Sequence, residues 1–372
     1  MQIELPVASI APAIGAAAAL ASSKDFKSVV FKCVLLDAQE DRLVIRASSA
    51  LRSIEVVVPH KPVTLGKVLI DSAKLSQIMS ANQAADVKIV SAEKSCKISF
   101  GRTRSFSLST EPPEDFPDLT FFNDKNSSFK LPVDTLLAMC KRAISSVHKD
   151  RSKLLLHGLC FHLVDGRLRI LGTTGLVLSY TSIAVTNALE GAVIDQAVVM
   201  PDAVELFGKV ASAGTEIELQ FTQRSLNMRG DCGQAAALRL IGSYPPYERA
   251  IPKTPGNDIA IKRKELFNLL AQLNVIDFMG VPTLQLVLEN NLATWSSQGQ
   301  DGAFYQEDAV TWSHDKVVLY FNPKTLIASL KGLTAQDFSF EVVNGMSATV
   351  IRESGTGFDS FCIVAPLRPG NA

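Results

Sequence analysis

No stretch of the chain is both long enough and apolar enough to cross a membrane. The most apolar early run, Ile10 to Ala21, is short, rich in alanine, and follows Glu4 rather than a basic leader. It reads as a buried helix, not as a signal peptide or an anchor. Net charge is also missing: Lys and Arg number 37, and so do Asp and Glu. That excludes a uniformly basic protein that grips nucleic acid over its whole surface, while leaving room for a local basic stripe. Cysteine is scarce. Cys33, Cys96, Cys140, Cys160, Cys232 and Cys362 form no C-x-x-C pair, and most sit inside apolar runs. They read as small core side chains of a protein in the reducing cytoplasm, at spacings that do not make a zinc site.

Catalytic signatures are missing too. The chain has no G-x-G-x-x-G after a strand, no G-x-x-x-x-G-K-[ST], no H-E-x-x-H and no G-x-S-x-G. Of the five histidines, His157 and His162 lie near Cys160, which raises the question of a metal or thiol site. Five residues apart on an apparent strand, the two imidazoles would face opposite sides, so packing is expected rather than ligation. Glu114 and Asp115 fall in a proline-rich connector and read as solvated loop. The expectation is a protein without catalytic residues, metal or cofactor.

What the chain does have is a core and a repeat. With 372 residues, 47% of them hydrophobic and 20% charged, it is long enough for about two to three domains. Three segments share an apolar entry followed by helical spacing: LPVASIAPAIGAAAALA from Leu5, LPVDTLLAMCKRAISSV from Leu131, and IAIKRKELFNLLAQLNV from Ile259. In the second and third, apolar residues recur at three and four: Leu136, Leu137, Cys140, Ile144, and Leu266, Leu269, Leu270, Leu273. A second unit recurs at nearly the same interval. VLIDSAKLSQIMSAN from Val68, VVMPDAVELFGKVAS from Val198 and LYFNPKTLIASLKGL from Leu319 each read as a strand, a cap and a short helix. Asp71, Pro201 and Asn322-Pro323 mark the helix starts. Between the helices run paired strands around polar turns, such as LCFHLVDGRLRILGTT.

A period this long means three homologous α+β domains. The connectors TEPPEDFPDLTFFNDKNSS and GSYPPYERAIPKTPGND, rich in proline, read as extended crossings between them. The expected boundaries are 1–122, 123–252 and 253–372.

Four segments in register with this repeat resemble a known family. RTRSFSLSTEPPEDFPDL (Arg102 to Leu119) is similar to a basic hairpin ending in F-S-L-S-T and D-F-P-x-L. LLLHGLCFHL followed by GRLRILGTTGLVLSY resembles L-x-G-x-x-F and a following A-T-D-G-x-R-L turn. LRLIGSYPPYERAIPK resembles G-x-[FY]-P-x-Y-x-R-x-x-P-K, and FCIVAPLRP resembles a V-M-P-M-R-L ending. Together, along essentially the whole chain, they resemble the bacterial replicative sliding clamp, the beta subunit of DNA polymerase III. Departures mark a divergent member. The D-G-H-R-L turn is Thr174, Gly175, Leu176, Val177, Leu178; Ala365 replaces a usual Met; and Pro369 with three more residues extends the end.

The resemblance implies three clamp-fold domains, each with two short helices packed on antiparallel sheets. Two protomers would close head to tail into a ring around double-stranded DNA, sequence-independently, and tether the replicative polymerase. It implies DNA contacts from Lys24, Lys27, Arg102, Arg104, Lys141, Arg142, Lys149, Arg151, Lys153, Lys209, Lys264 and Lys331, densest between 141 and 153. It implies a pocket for short peptides of the polymerase and the clamp loader at Leu156, Thr173, Gly175, Leu178, Pro245, Arg249, Val364, Pro366, Leu367 and Arg368. It also implies a homodimer contact in which Phe106 and Leu108 meet Leu273, Val275 and Ile276. The changed turn at 174–177 motivates one alternative, a clamp-fold scaffold or decoy that no longer loads on DNA. An enzyme with an unrecognised site, resting only on His157, Cys160 and His162, is the other.

Overall fold

In the computed structural model the described residues are all except 22–27, 83–84, 124–127, 187–195, 274–281, 301, 354 and 369–372. Their seven helices are α1 (Val7–Ala21), α2 (Ser72–Ser80), α3 (Val133–Ile144), α4 (Leu154–His157), α5 (Val204–Val210), α6 (Arg263–Gln272) and α7 (Pro323–Leu330). The repeat read from the sequence is visible in them. The strands Gln2–Pro6, Ser128–Pro132 and Asn257–Lys262 each run straight into a helix, α1, α3 and α6. The second helix of each repeat starts where its cap was expected. The Asp71 carboxylate accepts from Lys74 N at 2.9 Å, and the Asn322 side chain accepts from Lys324 N and Thr325 N at 2.9 and 3.2 Å. Pro201 opens a 3-10 turn, Pro201–Ala203, that leads into α5.

The chain forms two compact units, Met1–Leu137 with Thr186–Arg239, and Ala138–Val185 with Leu240–Ala372. The division runs through the second repeat because each half of that repeat shares its sheet with a different neighbour.

In the first unit a twelve-stranded antiparallel sheet carries the first repeat and half of the second. The repeats join where Arg52–Pro59 pairs with Gly233–Leu238, Ile54 opposite Ala235. On one face α1 buries Val7, Ile10, Ile14 and Leu20 at helical spacing. Each such side chain contributes about 1.5–3 kcal/mol by leaving water. The opposite face carries a ladder of charges. Lys67 lies 3.8 Å and Arg46 3.1 Å from Asp37; Arg46 lies 2.6 Å from Glu55; and Gln234 bonds Glu55 at 2.9 Å. These cross-strand pairs occupy the face away from α1. The first connector covers the rest of it: Phe116 and Leu119 pack on Cys33, Leu35 and Leu69.

The second unit holds two sheets. One includes, in this order, Leu159–Val164, Arg167–Thr173, Val177–Ala184, Asp359–Val364, Thr349–Arg352, Asp337–Val342 and Asn257–Lys262. The other runs Ala303–Ala309, Leu292–Gln298, Leu284–Glu289, Val317–Phe321. Leu266, Leu269 and Leu270 of α6 and Leu326 and Leu330 of α7 fill the core with Trp295, Trp312 and Phe340. Gly172 marks the approach of α3 to the sheet, since a Cβ there would overlap the Ala143 carbonyl oxygen. Second and third repeats join through Val177–Ala184 and Asp359–Val364, Leu178 opposite Ile363.

Candidate functional site

Three surfaces bear on binding. The first is basic. Lys141, Lys149, Arg151, Lys153, Lys209, Lys264 and Lys331 are exposed, as are Arg102 and Arg104. Between α3 and α4 the loop 149–153 presents three cations around one acid. That acid is occupied locally: Asp150 accepts from Ser152 N at 2.9 Å, and this bond holds its carboxyl below the usual range. The loop therefore offers its positive charge outward. Arg104 reaches back to the Asn82 side-chain oxygen. Lys24 and Lys27 lie outside the described residues.

Arg142 corrects the sequence reading. Expected beside Lys141 on the DNA-facing side, it is 5% exposed and turned into the second unit. Its guanidinium bonds the Glu353 carboxylate and, at 3.0 Å, Thr334 Oγ1, and it sits 4.8 Å over the Phe358 ring. Adjacent helix positions point about 100° apart, so Lys141 faces out while Arg142 faces in.

The second surface is an open sheet edge. Strand Arg104–Glu111 pairs with Ser95–Phe100 along Arg104–Ser109, and with Gly66–Asp71 only at Thr110 and Glu111. Among the described residues, the other side of Arg104–Ser109 has no ladder partner. Phe106 and Leu108 lie opposite Ile98 and Cys96, which are fully buried. They share the core face, yet Phe106 is 37% exposed, touching Phe100 edge-on at 6.2 Å. An apolar pair on an unpaired edge invites another chain. Leu273, expected to face this edge in a dimer, packs into the core of its own unit; Val275 and Ile276 lie outside the described residues.

Sequence reading passed over a second such edge. Strand Ala303–Ala309 closes one side of the four-stranded sheet, pairs only with Leu292–Gln298 among the described residues, and carries Glu307, Asp308 and a 66% exposed Tyr305. Its charge is opposite to that of Lys97, Arg102 and Arg104. The alternation of AFYQEDA is blunted in the sequence because two of its inward residues, Gln306 and Asp308, are polar.

The third surface lies in the second unit, where the strands bring Thr173, Gly175, Leu178 and Val364 of the expected pocket residues side by side. Thr173 stands opposite Leu178, Leu178 opposite Ile363, and Val177 opposite Val364. The turn between them is stapled by threonines. Thr173 Oγ1 donates to Val177 O at 2.6 Å and accepts from Gly175 N at 3.0 Å; Thr174 Oγ1 accepts from Leu176 N and Val177 N. Gly175 has φ +91°, which favours glycine at the apex. The second connector lies on this sheet: Tyr244, preceding Pro245, packs beside Cys160 and Thr173, and Gly242 meets the Leu155 side chain. Tyr247 is tied down by Arg169 Nη1 at 3.0 Å and by His162 Nδ1 at 2.7 Å, and burial pushes its phenol up. Leu156 O accepts from His148 N at 2.8 Å. The terminal segment runs on from the central strand, Ala365 N donating to Leu176 O at 2.9 Å and Leu367 N to Tyr320 O at 2.6 Å. Arg249 and Arg368 are exposed and make no ion pair among the described residues.

Of the two histidines expected on one strand, only His162 lies on it. His157 ends α4, not a strand, with Nδ1 on His148 O at 2.7 Å, and His162 is taken up by Tyr247. Burial pushes the Cys33 and Cys96 thiols up to about 11, which keeps them protonated and unreactive at neutral pH.

Residues 1–120 match the family model described as DNA polymerase III beta subunit, N-terminal domain. The beta sliding clamp of Chlamydia pneumoniae is 24% identical over 90% of this chain and 90% of its own. A Pseudomonas aeruginosa DNA polymerase III beta subunit, solved bound to griselimycin, superposes with TM-score 0.90 at 19% identity, over 99% of this chain and 100% of that one. The beta subunit of Thermotoga maritima gives 0.85 at 18%, over 99% of each chain.

Proposed function

Because the chain belongs to the family of bacterial DNA polymerase III beta subunits, we propose that it works as a sliding clamp, encircling duplex DNA and tethering the replicative polymerase. The observation that carries this reading is the likeness of fold along 99% of the chain, joined to the sequence match of its first repeat. Residues 1–122, 123–252 and 253–372 would be three clamp domains, and two protomers would make the ring. The open edge at Phe106 and Leu108 supports a dimer in which each copy covers the other's unpaired strand. Its opposite in charge, the edge at Glu307 and Asp308, is suited to meet it.

Such a ring needs no catalytic residue. It holds DNA by topology, so loose phosphate contacts suffice, and these carry no sequence information. The exposed lysines and arginines, led by Lys149, Arg151 and Lys153, would supply them. Polymerase and clamp-loader peptides would bind around Thr173, Leu178, Pro245 and the terminal segment, where apolar walls anchor side chains and a few polar groups orient them. The working compartment would be the cytoplasm. No helix among the described residues is long and apolar enough to cross a membrane.

The test is retention. Protein loaded on closed circular DNA should stay bound at high salt and leave when the circle is cut. A protein that falls off closed circles as readily as off linear DNA is not acting as a ring. One that a loader cannot place on DNA at all fits the scaffold alternative.

A further inference from the structure

We propose that the second unit carries a site for the C-terminus of a peptide that ends in an aromatic residue. It lies at the end of the larger sheet away from the turn at Thr173–Val177. Val177 pairs with Val364 beside that turn, and Ser182 with Asp359 towards the other end. The run from Val177 to Ala184 sets the two places about 23 Å apart.

A pocket of about 760 Å³ opens there, bounded by Tyr180, Ala184, Phe361 and the segment from Gly355 to Asp359. Ligand pockets run from about 300 to 1,000 Å³. One side of it is apolar. Tyr180 and Phe361 stack with ring centroids 4.4 Å apart, Phe358 lies under the Arg142 guanidinium, and Ile183 and Ala184 extend the surface. Tyr180 and Phe358 keep part of their surface in water. An aromatic side chain laid against them leaves water and gains ring contacts.

On the other side, hydrogen-bond donors are in excess. Arg352 is exposed and sits 4.9 Å over the Phe361 ring. Its Nε bonds Glu341 at 3.0 Å, but its two terminal nitrogens bond nothing among the described residues. Nor do the backbone N–H groups of Gly355, Thr356 and Gly357. Gly355 and Gly357 are left-handed, φ +78° and +74°, on either side of Thr356. Alternating backbone of this kind makes a concavity of N–H groups that takes anions. The carboxylates nearby are engaged. Asp359 bonds Arg167, and Glu341 holds Gly256 N as well as Arg352. Glu353 takes Arg142, Ser360 Oγ, Thr334 N and Ala335 N. A peptide terminus carries its carboxylate and its last side chain on one Cα, so it meets the donors and the rings together.

The experiment uses the full chain and fluorescein-labelled Gly-Ser-Gly-Ser-Ser-Phe with a free carboxylate, read by fluorescence anisotropy. Three companions are the amidated peptide, the free acid ending in Ser, and the amidated peptide with Asp before Phe. Wild-type protein should bind the first peptide about tenfold or more tighter than any companion. Arg352→Gln should bring acid and amide within about threefold of each other. Ala184→Trp fills the pocket from an exposed position. It should weaken the acid peptide about tenfold or more and leave thermal unfolding unchanged. A chain ending at Val364 should bind the acid peptide as wild type does. If acid and amide bind alike, or the internal Asp restores binding, the terminus is not what is recognised and the inference fails. Loss of binding on truncation but not with Ala184→Trp puts the peptide at the terminal segment, which also overturns it. So does an acid peptide that does not bind wild-type protein.

Discussion

Removing the Arg142 guanidinium, as in Arg142→Ala, should destabilise the second unit by about 3 kcal/mol, the lower end of what breaking a buried ion pair costs. The Glu353 side chain is fully buried. One of its oxygens takes Arg142 and, at 3.2 Å, Ser360 Oγ; the other takes Thr334 N and Ala335 N at 2.8 and 3.0 Å. Two backbone donors remain after the substitution, which is why the lower end applies. At about 1.4 kcal/mol per decade, 3 kcal/mol is on the order of a hundredfold in the folding equilibrium. The acid dependence follows from the same contacts. Burial alone would raise the Glu353 carboxyl, but bonds from Arg142, Ala335 N and Thr334 N hold it below the ordinary glutamate value. A depressed carboxylate contributes stability above its unfolded pKa and loses it as pH falls through the folded one. Wild type should thus lose its advantage over the variant as pH drops below the ordinary glutamate range. Urea unfolding of both proteins, followed by tryptophan fluorescence from Trp295 and Trp312 between pH 7 and pH 3, measures it. A difference under about 1 kcal/mol at pH 7, typical of an exposed pair, would refute this account of the Arg142–Glu353 pair. So would a difference that does not change with pH.

Replacing Lys149, Arg151 and Lys153 together by Ala should flatten the salt dependence of DNA binding by up to about three units of slope, with stability unchanged. Filter binding across a salt series checks this, and an unchanged slope would remove the loop from the DNA path. Leu108→Asp should give monomers, because it would bury an unpaired charge at the edge that a second copy would cover in the proposed dimer; sedimentation equilibrium reads the outcome, and a persisting dimer would move the interface elsewhere. Truncation before Ala365 should weaken polymerase and loader peptides by more than about a hundredfold, since anchors typically contribute about 2 kcal/mol or more each. Val364 must be kept, because it is fully buried and pairs with both Val177 and Thr349. Equal peptide affinity before and after truncation would place the pocket elsewhere.

The sequence alone carried most of what rests on near neighbours in the chain, though not the short helix Leu154–His157. The three strand-to-helix openings, the caps at Asp71 and Asn322, and the hairpins were legible because periodicity and capping act within a few residues. The expected pocket residues were named only through resemblance, since the strands that carry Leu178 and Val364 pair across a long stretch of chain. Tertiary structure decided the rest. Lys141 and Arg142 are alike in composition and adjacent, yet one meets water and the other a carboxylate 211 residues away. Which strands end a sheet was equally hidden. Arg104–Glu111 and Ala303–Ala309 have ordinary strand sequences, and whether a strand's second edge is covered depends on a partner its own residues do not encode.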